Sequence, residues 1–263
     1  MSGDLASPRS TASRRQLAEL VLHLARRQLT SAHRFTLLGW LWPLARQLAQ
    51  LAVLVFLFSN VLDLGIAHFA TFVFAGLLVW SWFAAAASSA TVSIAAGRHL
   101  VFSPRFPSIV LPLVAVAVPL VDTLVALPVL LVMVAVEGTL SPAVLVLPLL
   151  LALQFALTAG LVLITSALNV FVRDVQNVVG VGLLLLFYLT PVFYGLKSVP
   201  DRFHAYLQLN PLTSLVTAVR DVLLEGRLPA AGDVGRLLVT SVVLLGIGVW
   251  LFRRLEPRFV DEL

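Results

Sequence analysis

Six stretches of this chain are each apolar enough and long enough to cross a lipid bilayer, and little sequence lies between them. With loose ends they run over 43–60, 69–94, 109–136, 143–168, 175–194 and 234–252. A crossing helix needs about 20 mostly apolar residues, because the hydrocarbon is about 30 Å thick and each residue rises about 1.5 Å. In hydrocarbon every backbone polar group has to be satisfied by protein, which leaves helices or closed barrels. Runs of this length predict helices, so the fold class is all-α: a polytopic membrane protein with six transmembrane helices. The composition agrees. Of 263 residues, 60% are hydrophobic and 12% charged, against about 45–50% and about 25% in soluble domains. The mean hydropathy is +1.00. There is no cysteine, so neither a disulfide framework nor a thiolate metal site is available.

The first 16 residues are rich in Ser, Thr and Arg and read as a flexible tail, not a signal peptide, because no apolar core follows at the usual distance. Segment 17–42 is next. Leu17, Leu20, Val21 and Leu24 recur at helical spacing, with Arg14, Arg15, Glu19, Arg26 and Arg27 on the other side. That pattern predicts a helix over 17–35 lying in a membrane interface. Trp40 and Trp42 follow at the depth indoles prefer, and Pro43 turns the chain into the first span. Placing both termini in the cytoplasm leaves only Lys197, Arg202, Arg220, Arg227 and Arg236 of the 18 basic side chains outside. That satisfies the positive-inside rule, which the opposite orientation would reverse. The net charge of +5 therefore reports topology and anionic headgroups, not nucleic acid.

Residues 173–221 are unlike a plain anchor. The fifth apolar run ends in Thr190-Pro191, flanked by Phe187, Tyr188, Phe193 and Tyr194. A polar interlude follows, and then a half-length amphipathic segment over 211–224 that begins at Asn210-Pro211, a good helix start. Fourteen residues rise about 21 Å, too little for a crossing. The segment is either a re-entrant helix or a helix lying flat on the outer surface. A broken span beside a half-helix suits a translocation pathway, where a cavity or neighbouring protein satisfies irregular backbone. Asp122 falls near the middle of the third span and is best explained as a polar contact between helices; the alternative, a proton relay, would need a second ionisable group within the spans. Arg220-Asp221 and Arg173-Asp174 are neighbours in sequence. Adjacent helical residues do not face each other, so each side chain pairs elsewhere.

Nothing in the chain supplies energy or bond chemistry. The phosphate-binding pattern G-x-x-x-x-G-K-[ST] is absent, and Gly195-Leu196-Lys197-Ser198 lacks the upstream glycine. Neither H-E-x-x-H nor G-x-S-x-G occurs. The chain is read as a transport subunit, not an enzyme, and any nucleotide hydrolysis belongs to another subunit.

Several motifs then resemble one family in their order. Leu38-Gly39-Trp40-Leu41-Trp42-Pro43-Leu44 opens the first span. Phe106-Pro107 with Val110-Leu111-Pro112-Leu113 leads into the third, and Asn169-Val170-Phe171-Val172-Arg173-Asp174-Val175 into the fifth. Tyr188-Leu189-Thr190-Pro191-Val192-Phe193-Tyr194, with Val199-Pro200 and Leu209-Asn210-Pro211-Leu212, forms the external segment. Arg254-Leu255-Glu256-Pro257-Arg258-Phe259 forms a short tail. In this order they resemble the ABC-2-type permeases that export lipid-linked polysaccharides. The resemblance implies one transmembrane domain over 1–263 in a bacterial cytoplasmic membrane. It implies a homodimer on two ATPase subunits, with ATP and Mg held by those partners and no cofactor in this chain. It favours the re-entrant reading, with 195–233 external.

It also implies that the loop 96–108 carries a coupling helix seated on the ATPase. Its candidate contacts are Arg98, His99, Phe102, Arg105 and Phe106; the alternative is that both arginines merely obey the positive-inside rule. Ser108 stands where the family often has a charged residue. The channel or gate candidates are Phe187, Tyr188, Pro191, Phe193 and Tyr194. Sugar C–H faces pack on aromatic rings, and weak repeated contacts suit a sliding polymer; the alternative is an interfacial belt. Arg173 is a candidate contact for a phosphate headgroup or the cargo's pyrophosphate, or else an interface anchor. The expected cargo is polysaccharide on a polyprenyl-pyrophosphate lipid. The alternatives are a drug or small-lipid exporter of the same superfamily, a membrane enzyme acting on polyprenyl phosphates, and an ATP-independent channel or secondary transporter.

Overall fold

The computed structural model describes residues 14–33, 41–60, 66–103 and 106–263. Most of the expected tail, together with Trp40 and Arg105, lies outside the described residues. The described residues form helices joined by short connections, with no strand among them. In chain order these are α1 (Arg14–His33), α2 (Leu41–Asn60), α3 (Phe69–Thr91), α4 (Ser93–Ala96), α5 (Arg98–Val101) and α6 (Val110–Val136). There follow α7 (Leu147–Phe171), α8 (Val175–Leu189), α9 (His204–Leu209), α10 (Pro211–Leu223), α11 (Ala231–Leu255) and α12 (Phe259–Glu262). Among the described residues, five helices are long and apolar enough to cross a membrane: α2, α3, α6, α7 and α11. The fifth expected span is helical only over the 15 residues of α8, a rise of about 22 Å. The remainder of 175–194 turns away from the helix axis.

α3 is the centre of the bundle. It packs against α2, α6, α7, α8 and α10, and its side chains from Val73 to Val79 are almost wholly enclosed. Lipid tails are as apolar as leucine, so close packing and interhelical hydrogen bonds hold such helices together, not water expulsion. The α7–α11 pair shows the packing part. A methyl group on Gly160 would lie 2.5 Å from the backbone of Leu244 and Leu245, and one on Gly248 would strike the Gly160 carbonyl. The two backbones approach this closely because neither glycine carries a side chain. The bonding part joins other pairs. Gln154 Nε2 donates to Val79 O at 2.8 Å, Trp82 Nε1 to Val116 O at 3.1 Å and Thr91 Oγ1 to Thr165 Oγ1 at 3.0 Å. Bonds of this kind contribute about 0.6 kcal/mol each on average.

α1 has the amphipathic character its spacing predicts, and its apolar side has a protein partner. Ala25 is buried with Val110 and Val114 at the start of α6, and Leu20, Val21 and Leu24 pack around them. Arg26 and Arg27 stay exposed. α10 departs from the flat surface helix that was one of its two readings. Its residues Leu212 to Val216 and Ala218 to Leu223 are buried, and it contacts α3, α7 and α11. It is a half-length helix inserted into the bundle.

Candidate functional site

Helical regularity fails at the C-terminal end of α8. Pro191 has no N–H and disfavours helical backbone at the residue before it, and Thr190 is accordingly extended at φ −94°, ψ 132°. The Thr190 hydroxyl donates back to Leu186 O at 2.7 Å. Beyond it, Arg220 of α10 serves the freed carbonyls. Its Nη1 donates to Pro191 O at 2.6 Å and its Nη2 to Val192 O at 2.6 Å. Nε and Nη2 also donate to Phe72 O, in the first turn of α3, at 3.2 and 3.1 Å. The Phe72 ring lies 3.4 Å from the guanidinium carbon, a cation–π contact. Arg220 is 7% exposed, and its hydrogen-bond acceptors are all backbone carbonyls. Gly76 makes the approach possible, since a methyl there would sit 2.8 Å from Val192 O and 2.9 Å from Arg220 Nη2.

The start of α10 is tied to the same break. Asn210 caps the helix, its Oδ1 accepting from the Leu212 N–H at 3.0 Å, while its Nδ2 donates to Thr190 Oγ1 at 2.9 Å. Asp221, next to Arg220, turns the other way. It accepts from Arg227 Nη2 at 2.7 Å and Nε at 3.1 Å. The hydrogen bond and charge of Asp221, with Glu225 behind it, raise the Arg227 pKa above its already high ordinary value. The expectation that the adjacent Arg-Asp side chains pair separately therefore holds for this pair.

The sequence-chosen aromatic residues come together at this break, with partners that sequence spacing does not show. Phe193 stacks on Phe58 of α2 at 5.4 Å and lies 5.8 Å from Phe187. Phe187 packs against Trp80 of α3 at 5.3 Å. Tyr194 meets the edge of Phe193 at 5.3 Å, and its hydroxyl donates to Tyr188 O at 3.1 Å. Pro191 is buried. Tyr188 touches Phe187 yet is 59% exposed, so it faces away from the subunit core. Offset and edge-on ring pairs of this kind stabilise one another by about 0.5–1.5 kcal/mol beyond their burial.

At the opposite end, α4 runs from the end of the expected second span up to Ala96, and α5 lies within the sequence-chosen loop, with Gly97 between them. A methyl on Gly97 would lie 2.7 Å from Leu111, so the chain between α4 and α5 packs tightly on α6. Ile94 and Val101 enter a buried cluster with Val170 of α7, Phe252 of α11 and Phe259 of α12. Phe102 points outward and is 49% exposed, and Arg98 and His99 are exposed beside it. Phe106 turns inward to pack on α1 and α6. Arg98 and Arg173, separate in the sequence reading, line one cavity of about 220 Å³ with Asn169, Gln176, Glu262 and Leu263. Among the described residues no three His, Asp or Glu side chains gather as a metal site would require.

Three residues that tie these segments together are not among the site residues chosen from sequence. Arg220 has one signal, the expectation that it and Asp221 pair apart, which does not name its acceptors. Glu256 has none. Its carboxylate accepts from Ser108 N–H at 3.2 Å, joining the tail to the end of the loop 96–108. Glu137 follows α6, accepts from Thr71 at 2.5 Å and lies 3.4 Å from His68 Nδ1.

Comparison with known proteins follows the same outline. The family described as ABC-2 type transporter matches residues 19–224. An O-antigen export system permease protein, RfbA, of Myxococcus xanthus is 33% identical over 251 residues, 94% of this chain and 96% of its own length. The RfbA of Klebsiella pneumoniae is 30% identical over 250 residues, with the same coverage. The polysialic acid transport protein KpsM of Escherichia coli is 26% identical over 232 residues, 86% of this chain and 89% of its own length. With the half-inserted α10, the broken α8 and the helical loop 96–103 all lying in or beside the matched region, the chain belongs to the ABC-2 type transporter family.

Proposed function

We propose that this chain is the transmembrane subunit of an ATP-driven exporter that moves polysaccharide on a polyprenyl-pyrophosphate lipid across a bacterial cytoplasmic membrane. One observation carries the pathway: a 13-residue helix, α10, is buried beside unwound backbone at the end of a shortened span. An anchor has no need of such an arrangement, which is costly unless a passage is built there. The cargo class comes from the relatives, named for O-antigen export and polysialic acid transport. Sugar hydroxyls do not cross hydrocarbon bare. Two copies of the chain enclose a wet path between them, while the lipid tail stays in the bilayer.

The motor lies outside this chain. Two ATPase subunits hold ATP and Mg and press on the loop 96–108 through Arg98, His99, Phe102, Arg105 and Phe106. That push reaches the spans directly, because Ile94 and Val101 share a buried cluster with residues of α7, α11 and the tail. Arg98 and Arg173 stand at the rim where the charged headgroup arrives, and the cavity between them is open to a phosphate or pyrophosphate. Phe187, Tyr188, Pro191, Phe193 and Tyr194 form the outer gate. Both termini are cytoplasmic.

Deleting the gene and measuring surface polysaccharide tests the reading. Polymer is expected to vanish from the surface and accumulate inside, and to reappear outside on complementation. Undiminished surface polymer would sink the proposal.

A further inference from the structure

We propose that Arg220 is a positioning residue that binds the break at 190–194, helix α10 and the first turn of α3 into one rigid unit. The outer gate then opens by moving that unit as a body, not by peeling the break away from α10. This inference rests on the pathway reading above.

The donor geometry is the first support. A guanidinium offers five N–H groups in a flat fork. Three nitrogens of Arg220 reach Phe72 O, Pro191 O and Val192 O at 2.6–3.2 Å, and one face lies on the Phe72 ring. Peeling the break away would strip a buried cation of its acceptors where no bulk water replaces them. That is the costly kind of loss for a charged group. Moving all three elements together costs none of these bonds.

The second support is independent of the arginine. Asn210 binds Thr190 at the start of α10, about 15 Å along the helix axis from Arg220. The same short break is thus held at two points of one helix, which resists rotation as well as separation. Gly76 adds a third constraint, because α3 lies so close that even a methyl group has no room between it and the break. The aromatic cluster rides on this unit, since Phe193 and Tyr194 belong to the break.

The chain has no cysteine, so a Thr190→Cys/Asn210→Cys pair supplies its only thiols. The pair is introduced into the full permease–ATPase complex, and polymer export is compared in the oxidised and reduced states of the same sample. A rigid unit predicts that closing the disulfide leaves export within about twofold of the reduced rate. Export that stops on oxidation and returns with reductant overturns the proposal. In a second arm, Arg220→Lys keeps the charge and loses the planar fork. It is expected to cut export at least tenfold at unchanged yield of the assembled complex, whereas wild-type export by this variant overturns the role of Arg220. A wild-type complex that exports no polymer defeats the functional reading itself and is recognised before either variant is compared.

Discussion

Single residues decide how near the helices of this bundle come to one another. Gly160 and Gly76 sit where a methyl group would collide with backbone 2.5 and 2.8 Å away, while Gly180 and Gly182 in α8 have nothing within 4 Å. Gly160→Ala and Gly76→Ala are therefore expected to destabilise by about 1–3 kcal/mol through overpacking. Gly180→Ala should be neutral or stabilising by about 0.5–1 kcal/mol, the usual gain of alanine over glycine within a helix. Thermal unfolding of the detergent-solubilised variants checks the ranking; equal effects at the three sites would contradict it. All these glycines look alike in sequence. The crowding is created by residues far along the chain, as Arg220 is bound to Phe72 O across 148 positions. The sequence does reveal that Arg220 and Asp221 pair apart. Their partners stay hidden because they are carbonyls of a distant turn and an arginine beyond the helix.

Among the elements, α10 depends most on its first residue. Asn210 both caps the helix and binds Thr190. Asn210→Ala removes both and should cost about 1–2 kcal/mol, the upper part of the range for a lost cap. Asn210→Asp keeps the acceptor for Leu212 and loses the donor to Thr190, so it should fall between wild type and alanine in thermal unfolding. An aspartate as damaging as alanine would show that the cap contributes nothing. The start and length of α10 are readable from Asn-Pro and a short helical period. Its burial is not. Thr213, Ser214, Arg220 and Asp221 look like the polar side of a surface helix, yet all four are enclosed. The end of α8 is similar: Thr190-Pro191 announces a break, while the shortening to Leu189 follows from tertiary bonds to Asn210 and Arg220.

For the whole molecule, the bilayer does the selecting and hydropathy is enough to find the long helices. Exposed Val53 and Phe56 on α2, Val178 and Val181 on α8, and Val242 and Trp250 on α11 leave broad apolar faces for lipid or a second copy. Orientation is testable because the chain lacks cysteine. Phe102→Cys, at 49% exposure, should react with a membrane-impermeant thiol reagent only in opened vesicles. Tyr206→Cys, at 71% exposure, should react in intact cells. The reverse pattern would invert the topology. Assembly is tested at the same position: Phe102→Asp should abolish co-purification of the ATPase while leaving the permease in the membrane. Retention of the ATPase would move the docking surface elsewhere. The cavity holding Arg98 and Arg173 also holds Glu262 and Leu263. An affinity tag or fluorescent fusion joined after Leu263 would therefore crowd the face where the motor is proposed to dock. Such handles belong at the amino end, and weak activity of a protein tagged at its carboxyl end says little about the untagged one.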